Sequence, residues 1–253
     1  MSELELHRAL TWVMFGLGAV TWVALAFITA PYGRHARGGW GPTTPARIGW
    51  IAMELPAVVA FAIVFAAGEH RASTMPLVLL AIWQSHYVYR ALIYPFRLGT
   101  RATPIPWSIV LMGASFNVFN AYLNARWISQ LGDYAGAAPS EPWFIAGVAM
   151  FFAGLGVNRM ADRVLFRLRA ASGEQRYAIP RGKLFALVSC PNYLGEIVQW
   201  SGWALLTLSL PGLAFAFYTL ANLAPRAIAH HAWYRSRFPD YPPARKALIP
   251  FLV

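Results

Sequence analysis

Seven windows of this chain are long, apolar and nearly free of charge, and nothing else in the sequence limits the fold so strongly. A hydrocarbon core about 30 Å thick takes about 20 residues of helix at about 1.5 Å rise per residue. The windows run approximately over 9–30, 48–67, 75–94, 106–123, 143–157, 193–210 and 213–229, with breaks rich in Gly, Pro, Arg and Ser between them. The fifth and sixth are short, and Asn158, Asp162 and Arg169 recur at helical spacing beyond the end of the fifth. The pattern predicts an all-α fold, an integral membrane bundle of seven transmembrane helices. The first window is not expected to be a cleaved signal peptide. Glu3 and Glu5 stand where a basic leader would be, and the apolar run is too long.

Composition agrees. Of 253 residues, 58% are hydrophobic and 12% charged, whereas about a quarter of a soluble domain is charged. The net charge of +11 would suggest nucleic acid in a polar chain; here it points instead to anionic lipid headgroups or an anionic cofactor. Seventeen of the 21 Lys and Arg fall after windows one, three and five and in the C-terminal tail. The positive-inside rule therefore puts that side and the C-terminus in the cytoplasm and the N-terminus outside. The segment 158–192 is too polar to cross a bilayer and too irregular for one helix, so it reads as a cytoplasmic cap over a cofactor. With no repeat or linker, residues 1–253 read as a single catalytic domain. No obligate protein partner is evident.

Cys190 is the sole cysteine, which excludes an internal disulfide or a Cys-based metal cage. Redox chemistry would need a dissociable cofactor.

Ionisable groups inside apolar spans are expensive, and each is a candidate site residue. Glu54 sits in the second window just before Pro56, and it needs a partner. Tyr87 and Arg90, one turn apart in the third window, are both within reach of that role. Asn192 and Glu196 are one turn apart after Pro191. Tyr218, Asn222, Arg226, His230 and Tyr234 step by four residues and share one face of an otherwise apolar helix. Such a stripe outlines a groove filled by water or ligand. His230 and His231 point to different faces with no carboxylate at ligand spacing, so no metal site is expected. Gly16-Leu-Gly18 and Gly154-Leu-Gly156 lack the strand and third glycine of a dinucleotide fingerprint and read as packing glycines. Walker loops, nucleophile elbows and zincin motifs are absent. A basic vestibule able to hold phosphates, hydroxyls and an amide remains, leading to a Glu/Tyr pair at bilayer depth.

The stretches Tyr-Ala-Ile-Pro-Arg-Gly-Lys-Leu-Phe from Tyr177, Pro-Asn-Tyr-Leu-Gly-Glu-Ile from Pro191, Leu-Pro-Gly-Leu-Ala-Phe-Ala-Phe from Leu210 and Asp-Tyr-Pro-Pro-Ala-Arg-Lys-Ala-Leu-Ile-Pro-Phe from Asp240 form a specific combination. Together with Glu54-Leu-Pro56, His86-Tyr87-Val-Tyr-Arg90 and Gly156-Val-Asn158, they make the whole chain resemble the steroid 5α-reductase family (3-oxo-5α-steroid 4-dehydrogenase), as a bacterial homologue of the inner membrane. The resemblance implies NADPH-dependent reduction of the Δ4 double bond of a 3-oxosteroid, with hydride to C5 and Glu54 and Tyr87 at the 3-oxo group. It implies that Arg101, Asn158, Asp162, Arg169, Tyr177, Asn192, Glu196, Arg226, His230 and Tyr234 hold NADPH. Trp50, Met53, Tyr218 and Asn222 fall to the substrate side. Met53 stands where mammalian members carry Gln, and Asn222 where an aromatic is usual, which bears on steroid preference. Leu98 and Cys190-Pro191 depart as well. A reductase of another unsaturated lipid, such as an enoyl thioester or a polyprenal, would share this cage. A membrane methyltransferase would not need the Glu54/Tyr87 pair, and a transporter would more often show repeat symmetry.

Overall fold

The computed structural model describes residues 1–99, 102–134, 139–171 and 177–253. Seven long helices run through them: α1 (Glu3–Phe27), α2 (Ala46–Ala66), α3 (Thr74–Leu92), α5 (Trp107–Arg126), α6 (Pro142–Ala171), α7 (Pro191–Thr207) and α8 (Leu210–Arg237), with a single turn, α4 (Tyr94–Arg97), after α3. Each apolar window falls on one of the seven. The sequence explains several of their ends. Ser2 caps α1 in a reciprocal box, its Oγ accepting from the Glu5 amide at 3.2 Å and its own amide donating to Glu5 Oε2 at 2.7 Å. Pro95, with no N–H to give, stops α3 two residues short of its apolar window. α6 continues past its window to Ala171, carrying Asn158, Asp162 and Arg169 on the extension.

The all-helical expectation holds with small departures. β1 (Thr43–Thr44) and β2 (Ile105–Pro106) pair antiparallel and tie the approach to α2 to the approach to α5. The C-terminal tail is pinned as well. Ser189 and Cys190 donate their amides to the Lys246 and Ala247 carbonyls, and the Lys246 amide donates back to Leu187. The segment leading into α7 is thus roofed by the end of the chain.

α1 packs on α8, α2 on α3 and α5, and α7 on both α6 and α8. The α6–α7 seam is the closest of these. A Cβ at Gly154 would collide with the Gln199 amide nitrogen and the Gly195 carbonyl, and one at Gly195 with the Asn158 amide nitrogen. Two helix backbones touch there, and only glycine permits it. Gly154 and Gly18 are the packing glycines of their motifs; Gly16 and Gly156 face open space. Overpacking a core usually costs about 1–3 kcal/mol, and a clash of backbone on side chain relaxes less easily. Gly154→Leu is therefore expected to lower the thermal unfolding midpoint by at least about 4 °C. An unchanged midpoint would show that the seam opens freely.

Large apolar side chains face outward along these helices, among them Trp12 and Val20 on α1, Ile63 on α2 and Phe152 on α6. A soluble monomer does not leave such a belt uncovered. α1, α2 and α6 are each long and apolar enough to cross a membrane by length and composition. α7 has only 17 residues, and α3, α5 and α8 spend positions on Gln, His, Asn and Arg, which lowers their mean hydropathy. Of those, His86, Arg90, Asn117, Asn222, Arg226 and His230 face inward, toward the site.

Candidate functional site

A cavity of about 1540 Å³ opens among α1, α2, α3, α5, α6, α7 and α8. Tyr218 and Asn222 from the inner half of the α8 stripe and Arg226, His230 and Tyr234 from its outer half all line it, because steps of four residues keep them on one helix face. α2 contributes Trp50, Met53 and Glu54; α3 contributes Tyr87 and Arg90; α6 contributes Asn158, Asp162 and Arg169; Asn192 and Glu196 come from α7, and Tyr177 from the segment before it. Every site residue expected from the sequence therefore meets in one space, apart from Arg101, which lies outside the described residues.

The two ends of the cavity differ chemically. Toward the inner end the walls are aromatic. Phe116 stacks on Tyr218 with ring centroids 3.9 Å apart, and Trp200 lies 4.4 Å from Phe215 and 5.6 Å from Tyr87. Glu54 and Tyr87 face each other across this end, but the bond goes elsewhere. Arg90 Nη2 donates to Glu54 Oε1 at 3.0 Å, so of the two partners within reach the carboxylate takes the guanidinium rather than the phenol. Asn117 Nδ2 approaches Glu54 Oε2 at 3.5 Å while donating to the Met53 carbonyl at 2.7 Å. The Arg90 guanidinium also sits 4.7 Å from the Trp50 ring and 4.5 Å from the Tyr94 ring. The two rings meet edge to face with centroids 5.1 Å apart, so they form one aromatic corner beside the guanidinium.

The outer end is basic and polar. Arg226 Nη2 donates to Tyr193 Oη at 3.1 Å, and Tyr193 Oη lies 3.0 Å from His230 Nε2. Guanidinium is a donor only, so the phenol passes its own proton toward His230. His35, from the short turn after α1, meets His230 Nδ1 at 2.9 Å and stacks parallel to it. Burial, with Arg34, Arg226 and Arg37 nearby, holds His35 below the usual histidine range. It is neutral at pH 7. Arg34, from the same turn, lies 4.4 Å from the Tyr234 ring and 5.6 Å from Tyr177. Burial pushes the Cys190 thiol up to about 12, so it stays protonated and unreactive.

Arg34, His35, Tyr193 and Asn117 were not expected from the sequence. Arg34 reads as orienting charge in a loop and His35 carries no signal of its own, and only the folding of that loop against α8 brings them to the cavity. Tyr193 was hidden by its neighbour Asn192 in a plain apolar run. Arg90 reads from sequence as a partner for Glu54, and it is that and a wall of the cavity at once.

Among the described residues, several polar atoms lining the cavity are buried without a hydrogen-bond partner: Asn158 Oδ1, Asp162 Oδ2, Arg34 Nη1 and Arg226 Nε. Each buried polar group left this way costs about 1–3 kcal/mol. Two acceptors and two cationic donors on one wall suit a ligand carrying hydroxyl or amide groups together with phosphate. α6 and α7 place the acceptors rigidly. Asn158 Nδ2 donates across the glycine seam to the Asn192 carbonyl at 3.0 Å and approaches Glu196 Oε2 at 3.4 Å.

Residues 103–253 match the family model described as 3-oxo-5-alpha-steroid 4-dehydrogenase. The chain is 44% identical to the steroid 5-alpha-reductase DET2 of Gossypium hirsutum over 99% of both proteins. It is 40% identical to 3-oxo-5-alpha-steroid 4-dehydrogenase 1 of Bos taurus over 100% of this chain and 99% of that one, and 37% identical to the Homo sapiens protein of the same name over 100% and 97%. A two-ended cavity with a paired carboxylate and a phenol at its aromatic end thus sits in a chain that matches such reductases over nearly its full length, and the chain belongs to the steroid 5-alpha-reductase family of oxidoreductases.

Proposed function

We propose that the protein reduces the Δ4 double bond of a 3-oxosteroid with NADPH, the steroid in the aromatic end of the cavity and the cofactor along its basic end. The observation that carries this reading is the row of unpartnered acceptors and guanidinium donors leading from Arg34 to the Glu54/Tyr87 end. The volume supports it, since a site for one drug-sized ligand occupies about 300–1,000 Å³ and this cavity exceeds that.

Asn158, Asp162, Asn192 and Glu196 would hold hydroxyl and amide groups of the cofactor. Arg34, Arg169, Arg226, His230, Tyr177 and Tyr234 would hold its charged and adenine-bearing parts, with Arg101 added from the loop before α5. Bound there, NADPH would supply a hydride to the β-carbon of the enone, C5 of the steroid, and C4 would then take a proton, ultimately from water, as the enolate returns to the ketone. The protein's part is to receive the electrons that the hydride pushes onto the 3-oxo oxygen. Tyr87 donates its O–H to that oxygen, where a preorganised donor stabilises developing charge. Glu54 takes the second place beside it, its charge balanced by Arg90 so that the pair adds no net negative charge to the oxyanion. Trp50, Met53, Tyr218 and Asn222 contact the ring system and set which steroid fits. Aromatic walls keep water from the hydride path.

The chain acts as one catalytic unit over 1–253, crosses the membrane seven times with its C-terminus in the cytoplasm, and uses 158–192 as a cap over the cofactor. Oxidation of NADPH by the purified protein, followed by absorbance with and without a Δ4-3-oxosteroid, tests the function. Steroid-dependent oxidation is expected; none with any Δ4-3-oxosteroid would overturn it. Arg226→Ala should weaken NADPH binding by at least about tenfold, the loss of one charge-assisted bond. An unchanged dissociation constant would remove Arg226 from the cofactor site.

A further inference from the structure

Behind Tyr87, outside the cavity wall, three side chains form a buried chain of hydrogen bonds. Trp203 Nε1 on α7 donates to Asn124 Oδ1 on α5 at 2.7 Å. Asn124 Nδ2 donates in turn to Asn120 Oδ1 at 2.9 Å and to the Asn120 carbonyl at 3.1 Å. The three residues are at most 1% exposed. None of them lines the cavity, whereas Tyr87 does.

The direction of this chain is fixed by its first member. An indole N–H can donate but not accept, so Asn124 must turn its oxygen to Trp203 and its NH₂ away. That NH₂ claims the Asn120 oxygen, which leaves the Asn120 NH₂ at the far end. Among the described residues, Asn120 Nδ2 is buried and has no hydrogen-bond partner. The layer beside it fixes what it faces: Asn117, one turn before Asn120, approaches Glu54 Oε2, and Glu54 pairs with Arg90, one turn after Tyr87, so Asn120 and Tyr87 share the next layer and interact there. Packing holds the two ends of the arrangement together, because the Trp83 ring lies 4.8 Å from Tyr87 and 5.2 Å from Trp203. A buried amide donor left without a partner is costly, and acceptance by the neighbouring phenol oxygen would satisfy it.

We propose that Asn120 is a positioning residue for Tyr87, the last link of a one-way chain from Trp203 through Asn124. A phenol has one proton. When its oxygen accepts from Asn120, its own O–H is left for the cavity and is polarised by the bond it receives. Without the amide, Tyr87 is free to rotate its proton onto a local acceptor and present a lone pair to the substrate oxygen, which repels it. Trp203 acts at one further remove, by preventing both amides from flipping. The inference rests on the reading of Tyr87 as the donor to the 3-oxo group and adds what aims that donor.

The test is a double-mutant cycle on intact purified protein, read as steroid-dependent NADPH oxidation. Asn120→Leu keeps the volume and removes the donor. It is expected to lower kcat by about tenfold, with KM for the steroid and Kd for NADPH within about twofold. In a Tyr87→Phe background the same substitution should change kcat by less than about twofold, because it acts through the missing hydroxyl. Equal fold losses in both backgrounds would show a merely structural role and overturn the proposal. So would wild-type kcat in Asn120→Leu. Trp203→Phe keeps an aromatic ring, frees the amides to flip and leaves Asn120 in place; it should lower kcat with cofactor binding intact. This variant decides the matter if Asn120→Leu fails to fold, an unchanged kcat overturning the chain. Wild-type turnover in Tyr87→Phe alone would instead remove the reading of Tyr87 on which the proposal stands.

Discussion

Glu54→Gln is expected to lower steroid-dependent turnover by at least about a hundredfold, the low end of what a positioned acid–base group contributes, while NADPH binding changes little. The substitution is nearly isosteric, so packing around α2 is kept. The charge is what it removes. Arg90 Nη2, 3.0 Å from Glu54 Oε1, would face a neutral amide from a position beside Trp50 and Tyr94. Breaking a buried pair from one side costs about 3–5 kcal/mol, mainly because the other charge stays buried. The freed guanidinium would then compete for the substrate oxygen or move, and either disturbs Tyr87's approach. Cofactor binding is spared because the unpartnered acceptors and arginines of the other end are untouched. Glu54→Asp keeps the charge and should recover part of the loss. Wild-type turnover in Glu54→Gln would take Glu54 out of the mechanism.

Tyr87→Phe should be as severe. It deletes one oxygen and leaves the ring where it is, between Trp83 at 4.8 Å and Trp200 at 5.6 Å. Removing one donor from an oxyanion site costs about 10²–10³ in kcat. On the proposed reading the apolar and aromatic walls would grip the steroid in ground state and transition state alike, so KM should move little and the loss should fall on kcat. A large rise in KM at unchanged kcat would mean that the hydroxyl binds substrate without helping the reaction.

Much of this architecture is legible in the sequence for one reason: long apolar helices announce themselves by length and hydropathy. The α8 stripe is the best case, since Tyr218 to Tyr234 at steps of four foretells a wall and becomes one. The polar face of α5 was equally visible. Asn117, Asn120 and Asn124 step by three and four through an apolar run, yet with no ionisable group among them the pattern does not by itself mark a site. Glu54's partner was not decidable, because Tyr87 and Arg90 are one turn apart and only side-chain reach separates them. Arg34 and His35 lie beyond any local pattern. Their place depends on a loop folding onto a helix nearly 200 residues away, the kind of long-range packing that periodicity does not encode.

The glycine seam between α6 and α7 divides what can vary in this molecule from what cannot. Asn158 stands on one side of the seam and Asn192 and Glu196 on the other, so the spacing of that wall is a matter of backbone registry and not of side-chain choice. A slip of one turn would displace it by about 5.4 Å. Met53, Asn222 and Tyr218, by contrast, belong to helices outside the seam and can be exchanged without shifting that registry. On the proposed assignment, one jaw of the site would be locked to a single ligand geometry and the other open to drift, so new substrate tastes could arise by substitution on α2 and α8 at no cost to the partner held opposite.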